Sequence, residues 1–176
     1  METIKLYDKQ FSLLYSYDEI KARIRTLAKI LNFTTTDKQV IFLPVLNGSF
    51  MFAAELLKNI YFPCEIQFIK AQSYIGTESK NLTIDNIESL NLKDKTVIIL
   101  EDIVDSGNTI EKIYELIQQK EPKNIQVLSL FYKPDACKKN IIVDYSCFSI
   151  TNEFIIGFGL DYNQLGRNLK NIYQEC

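Results

Sequence analysis

The chain has 176 residues, 47% of them hydrophobic, enough for one domain with a sizeable core and with no linker-like stretch to open a second. Its formal charge of −2 argues against bulk electrostatic attraction to nucleic acid, and the absence of any histidine removes Ser-His-Asp and Cys-His nucleophiles and imidazole-held zinc. Apolar runs such as VIFLPVL fall far short of the ~20 residues a membrane helix needs, and METIKLYDKQF lacks the regions of a secretory signal, so a cytoplasmic protein is expected.

In chain order, Ser16 stands three residues before Glu19, the pattern of a capping box, and Ile20, Ile24, Leu27, Ala28 and Leu31 mark one helical face over 18–32. The run VIFLPVL (40–46) reads as a buried strand whose NGS turn offers a cap at Ser49 to a helix through Phe52, Leu56, Leu57 and Ile60. CEIQFI (64–69) alternates as a half-covered strand. Residues 72–92 are polar, with a short extended piece near Leu82–Ile84, and suit a hairpin excursion or a lid. TVIIL (96–100) is a second buried strand, Ile110, Ile113, Tyr114 and Ile117 mark a helix, IQVLSLFY (125–132) is a third strand and IIVDYSCFSI (141–150) a fourth extended segment. Apolar strands alternating with helices predict an α/β fold, a mostly parallel sheet covered on both faces, with ligands beyond the carboxyl ends of its strands. The cysteines (Cys64, Cys137, Cys147, Cys176) show no C-x-x-C spacing and are expected to stay reduced.

The chemistry concentrates in TVIILEDIVDSGNT (96–109). Asp, Ser, Gly, Asn and Thr are ordinary turn formers and caps. Glu101, Asp102 and Asp105 within five residues are less ordinary, because adjacent carboxylates repel unless a ligand supplies donors or a cation. DSGNT leading into a helix exposes successive backbone N–H groups beside the Ser106 and Thr109 hydroxyls, a cradle suited to phosphate. No Walker loop occurs, and GFGLDY places Tyr162 where a dinucleotide fingerprint needs glycine. Carboxylates that meet ribose hydroxyls or Mg²⁺, followed by a phosphate cradle, suit a phosphorylated sugar.

VIILEDIVDSGNTI resembles the 5-phosphoribosyl-1-pyrophosphate (PRPP) signature of the type I phosphoribosyltransferases. Within that family, LPVLNGSFMFAAEL is similar to the pyrophosphate loop, SYIGTES to the mobile catalytic loop, YKPD to the purine-facing lysine segment, and NEFIIGFGLDYNQLGRNL to the C-terminal hood of the hypoxanthine–guanine branch. The resemblance implies a mostly parallel twisted sheet flanked by helices, with a small hood built from the termini. It implies one domain over 1–176, its core roughly 37–148 and its C-terminal hood roughly 149–176. The implied activity is purine salvage: transfer of 5-phosphoribosyl from PRPP to hypoxanthine or guanine, with Mg²⁺, in a homo-oligomer (dimer or tetramer) that binds neither nucleic acid nor membrane.

The resemblance also assigns roles. Glu101 and Asp102 would hold the ribose hydroxyls, directly or through Mg²⁺, and Asp105 would be the general base near purine N7. Ser106, Gly107, Asn108 and Thr109 would bind the 5′-phosphate. Leu46, Asn47 and Gly48 would face pyrophosphate, with a cis peptide between Leu46 and Asn47, and Arg167 would reach the same group. Lys133 would donate to the 6-oxo group, Phe154 would stack on the base, Ile155 would offer backbone contacts, Asp161 would ligate a second Mg²⁺, and Ser73 and Tyr74 would close over the reacting centre. Three departures stand out: Asn47 replaces a basic residue, YKPDACKKN lacks a following arginine, and TNEF replaces Pro-Asp before the aromatic. Two alternatives remain open: a xanthine-preferring transferase, and a PRPP-sensing RNA-binding regulator of the same fold, which the −2 charge disfavours.

Overall fold

The computed structural model describes residues 3–75 and 80–176; at 73–75 and 80–81 it describes the backbone alone. In chain order the elements are β1 (Thr3–Leu6), β2 (Lys9–Tyr15), α1 (Tyr17–Thr34), β3 (Val40–Leu46), α2 (Phe50–Leu57), β4 (Glu65–Ile66) and β5 (Ile69–Ile75). There follow β6 (Lys80–Asp85), β7 (Thr96–Val104), α3 (Asn108–Gln118), β8 (Asn124–Tyr132), β9 (Tyr145–Ser149), β10 (Ile155–Ile156) and β11 (Ile172–Glu175).

The main sheet has the order β6-β5-β3-β7-β8-β9, with the short β4 also on β3. Every pairing in it is parallel except the β5–β6 hairpin. Its central strands are buried on both faces because their side chains alternate between two cores. Val40, Phe42, Ile98 and Leu100 join α1 and α2 on one side, and Ile41, Leu43, Val97 and Ile99 join α3 on the other. Each fully buried aliphatic side chain contributes roughly 1.5–3 kcal/mol. This two-sided burial is why the runs read as continuous apolar stretches.

Helix α1 begins with the expected box: Ser16 Oγ accepts from Glu19 N–H, and Glu19 accepts from Ser16 N–H at 2.9 Å. Ser49 does not cap α2; its hydroxyl donates back to Val45 O at 2.7 Å and tightens the turn after β3. The expected single strand over 64–69 is broken, because β4 ends at Ile66 and the chain re-enters the sheet only at Ile69. The polar stretch after it forms the β5–β6 hairpin, with Lys70 opposite Asp85. The fourth extended segment is shorter than expected, five residues in β9.

A second, antiparallel sheet, β1-β2-β11-β10, joins both ends of the chain. It is the expected hood, and its N-terminal pair of strands carries no pattern strong enough to predict from residues 3–15. Phe11, Ile156 and Tyr173 form its own small core. Among the described residues no helix is long and apolar enough to cross a membrane, and all four cysteines are free.

Candidate active site

Strand β7 runs four residues farther than TVIIL predicts. Glu101 and Asp102 therefore lie within the ladder, with Glu101 opposite Ser129 of β8, and the turn begins only at Asp105. Backbone pairing carries the two carboxylates inward. Glu101 is 8% exposed, and its Oε2 is sealed from solvent without a hydrogen-bond partner among the described residues, as is Ser129 Oγ. Burial pushes the Glu101 carboxyl well above its usual value, and the neighbouring Asp102 charge adds to the effect. Burial also raises Asp102, to about 6, against the pull of backbone N–H groups (Ile103 N–H donates to Oδ1 at 2.9 Å) and of Arg167.

The next residues form the turn at which the phosphate cradle is expected. Gly107, at φ 84°, is the N-cap of α3 and supplies no side-chain capping bond; the first amide, Asn108 N–H, reaches Ser106 Oγ only at 3.5 Å. Its left-handed conformation suits glycine. A Cβ there would also lie 2.9 Å from Cys137 Sγ, because the loop after β8 packs against the turn. Glu101, Asp105, Ser106, Gly107 and Thr109 line a crevice of about 80 Å³, with Asn108 at its exposed lip. A helix N-terminus with open amides attracts an anion.

Five further predicted residues gather near Asp102 from two distant parts of the chain. The Leu46–Asn47 peptide is cis, as the resemblance implies. It presents Gly48 so closely to β7 that a Cβ on Gly48 would lie 1.6 Å from Asp102 Oδ2. Gly159 of the hood closes on the same turn: a Cβ there would lie 2.0 Å from Gly48 O. Arg167 holds that hood loop, donating to Gly159 O at 2.8 Å and pairing with Asp161 at 2.5 Å. Asp161 also accepts from Gln164 N–H at 2.8 Å, so both its oxygens are engaged.

At the far side, Lys133 is 7% exposed and its Nζ lies 3.2 Å from Asp105 Oδ2. Phe154 is 39% exposed, with the edge-on Tyr162 ring at 5.8 Å, Phe11 at 6.1 Å and the Lys9 ammonium 4.9 Å from its centroid. Ile155 is buried, and β10 is the last strand of the hood sheet, so one of its backbone edges is open. Ser73 and Tyr74 lie in β5, but their side chains are outside the described residues. Lys9 and Ser129 carry no sequence signal; Gly159 and Tyr162 stand out only as members of the hood segment and, for Tyr162, as the residue that spoils a dinucleotide fingerprint.

Among the described residues no three acidic or sulfur ligands are pre-assembled around a metal. Glu101 and Asp102 instead fit the way Mg²⁺ is usually held, by one or two carboxylates together with oxygens of a phosphorylated substrate. The orphaned Glu101 oxygen is the observation that fits.

A mostly parallel α/β sheet with acids at the carboxyl end of its central strand, a glycine turn opening a helix directly after them and a hood above defines an enzyme that handles a phosphorylated sugar. The phosphoribosyl transferase domain model matches residues 14–163, and the chain belongs to that family of phosphoribosyltransferases. It is 36% identical over 155 residues to the hypoxanthine phosphoribosyltransferase of Salmonella typhimurium, covering 86% of this chain and 87% of the relative. It is 35% identical over 159 residues to the hypoxanthine-guanine phosphoribosyltransferase of Streptococcus pyogenes, covering 89% and 88%. The crystal structure of a hypoxanthine phosphoribosyltransferase from Staphylococcus aureus superposes with a TM-score of 0.87 at 30% identity, covering 94% of this chain and 91% of that one.

Proposed function

We propose that this phosphoribosyltransferase transfers the 5-phosphoribosyl group of PRPP to hypoxanthine or guanine, forming IMP or GMP and releasing pyrophosphate, as a step of purine salvage. The observation that carries this reading is the buried, partnerless Glu101 oxygen at the head of the α3 turn. A polar group is left unsatisfied in a protein interior only at a cost of about 1–3 kcal/mol, and a ribose hydroxyl or a cation would remove that cost. The named relatives support the choice of base.

In this reading Glu101 and Asp102 meet the ribose hydroxyls, and Ser106, Gly107, Asn108 and Thr109 hold the 5′-phosphate. Mg²⁺ held by the two carboxylates and the substrate would neutralise charge that grows on pyrophosphate. Leu46, Asn47 and Gly48 offer backbone amides to pyrophosphate, with the Arg167 guanidinium behind them. Asp161, tied to Arg167 through one oxygen and to Gln164 N–H through the other, orients that guanidinium, and a second Mg²⁺ would use the lone pairs that remain. The C1′–O bond stretches toward an oxocarbenium-like state of the kind glycosidases stabilise.

Lys133 donates to the purine 6-oxo oxygen, Phe154 stacks on the rings, and the open edge of β10 at Ile155 meets the base through its backbone. Asp105 accepts the proton leaving N7, which removes the negative charge that faces Lys133. Closure of Ser73 and Tyr74 over the centre would exclude water.

An ultraviolet assay with PRPP, Mg²⁺ and hypoxanthine, guanine or xanthine in turn tests this. Nucleotide formation from hypoxanthine or guanine is expected; turnover of xanthine alone, or of none of the three, overturns it.

A further inference from the structure

Glu153, which follows the Thr151-Asn152 departure, places a carboxylate directly before Phe154. Ile150 N–H donates to Tyr132 O at 3.0 Å, so the segment that follows β9 starts beside the Lys133 end of β8. Thr151 Oγ1 donates to Glu153 Oε1 at 2.7 Å. The other oxygen, Oε2, is sealed from solvent and has no hydrogen-bond partner among the described residues. The Thr151 hydroxyl first, then backbone amides and the Lys133 charge, hold the Glu153 carboxyl below its usual value. Glu153 is thus an anion with one oxygen committed and one to spare, directly before Phe154.

Lys133 has the complementary difficulty. It is almost wholly buried and its recorded acidic partner is Asp105. If Asp105 turns to the purine proton, Lys133 loses its counter-ion, and an almost wholly buried ammonium left unpaired is strongly unfavourable. An ammonium has three N–H donors, enough for a 6-oxo group and a second carboxylate together.

We propose that Glu153 is a positioning residue that takes over from Asp105 as the counter-ion of Lys133 when a 6-oxopurine binds, its spare oxygen accepting one ammonium N–H while another meets the base. This rests on the purine site described above. No bond is made or broken beyond the exchange of one charge-assisted hydrogen bond for another. The carboxylate would lower the cost of releasing Asp105, so it acts on purine binding and leaves the sugar donor untouched.

Steady-state kinetics of the full chain test this with Glu153→Gln, which keeps the side chain's shape and an oxygen for Thr151 and removes only the charge. The purine KM is expected to rise about five- to tenfold, with the PRPP KM and the Tm unchanged. In a Lys133→Gln background the same change is expected to add nothing, because its effect runs through the ammonium. A wild-type purine KM for Glu153→Gln, or a full additional rise on top of Lys133→Gln, overturns the proposal while the purine site stands. An unchanged purine KM for Lys133→Gln alone would overturn the purine site, and this proposal with it.

Discussion

Gly48 lies against Asp102 with no room for a side chain between them: a Cβ would sit 1.6 Å from the carboxylate oxygen. The contact joins the turn after β3 to the acidic end of β7 and leaves the Asp102 carboxylate little room. Gly48→Ala must displace Asp102, and overpacking of this kind typically costs ~1–3 kcal/mol. We expect a lower Tm and a severalfold higher PRPP KM. Adding Asp102→Ala should restore the Tm without restoring PRPP use; a double variant as unstable as Gly48→Ala would show that the clash lies elsewhere.

The two buried carboxylates set a pH dependence. Both are raised, so between the ordinary carboxylate range and the raised value the folded protein binds more protons than the unfolded chain. Stability therefore falls as pH rises through that window, and for Asp102, raised to about 6, the loss is on the order of 2–3 kcal/mol. Glu101→Gln removes the Glu101 share of that penalty. The variant should melt at a higher temperature than the wild type at pH 8, show a flatter decline between pH 4 and 8, and use PRPP poorly. Thermal melts across that range check it; a lower Tm at pH 8 would contradict the account of Glu101.

For Asp105 the expectation is a kcat effect. General-base catalysis is typically worth ~10²–10⁴ in rate, so Asp105→Asn should lower kcat by about that factor while the PRPP KM stays near wild type. Turnover within threefold of the wild type would move the base elsewhere.

Phe154 is held by Tyr162, Phe11 and Lys9, yet more than a third of it is open. Base–aromatic stacking is worth ~1–3 kcal/mol when the ring is removed. Phe154→Ala should raise the purine KM about tenfold or more, with little change in the PRPP KM. Equal effects on both substrates would mark the ring as packing for the hood.

Local chemistry made much of this protein readable from its residues in order. Two-sided burial writes itself as unbroken apolar runs, so β3, β7 and β8 were visible. Ser16 and Glu19 cap a helix through neighbours three apart, and the DSGNT turn works through its own amides and hydroxyls. The resemblance named the cis peptide at Leu46–Asn47 and drew the remaining site residues into one centre.

What the residues could not convey is contact between distant segments. Strands β1 and β2 are short and weakly patterned, and they exist as a hood because β11, more than 150 residues later, pairs with β2. The junction of Asp102, Gly48 and Gly159 joins three segments of the chain, and the support of Phe154 by Lys9 and Phe11 of β2 joins two. The orphaned oxygens of Glu101 and Glu153 depend on what surrounds them after folding, since burial is a property of the packed chain. The sequence by itself thus determined the sheet's central strands, the acids and the DSGNT turn, because these rest on residues close together along the backbone. Only the tertiary structure decided which carboxylates are stripped of water and which cation each one faces, because desolvation and pairing arise where remote segments meet.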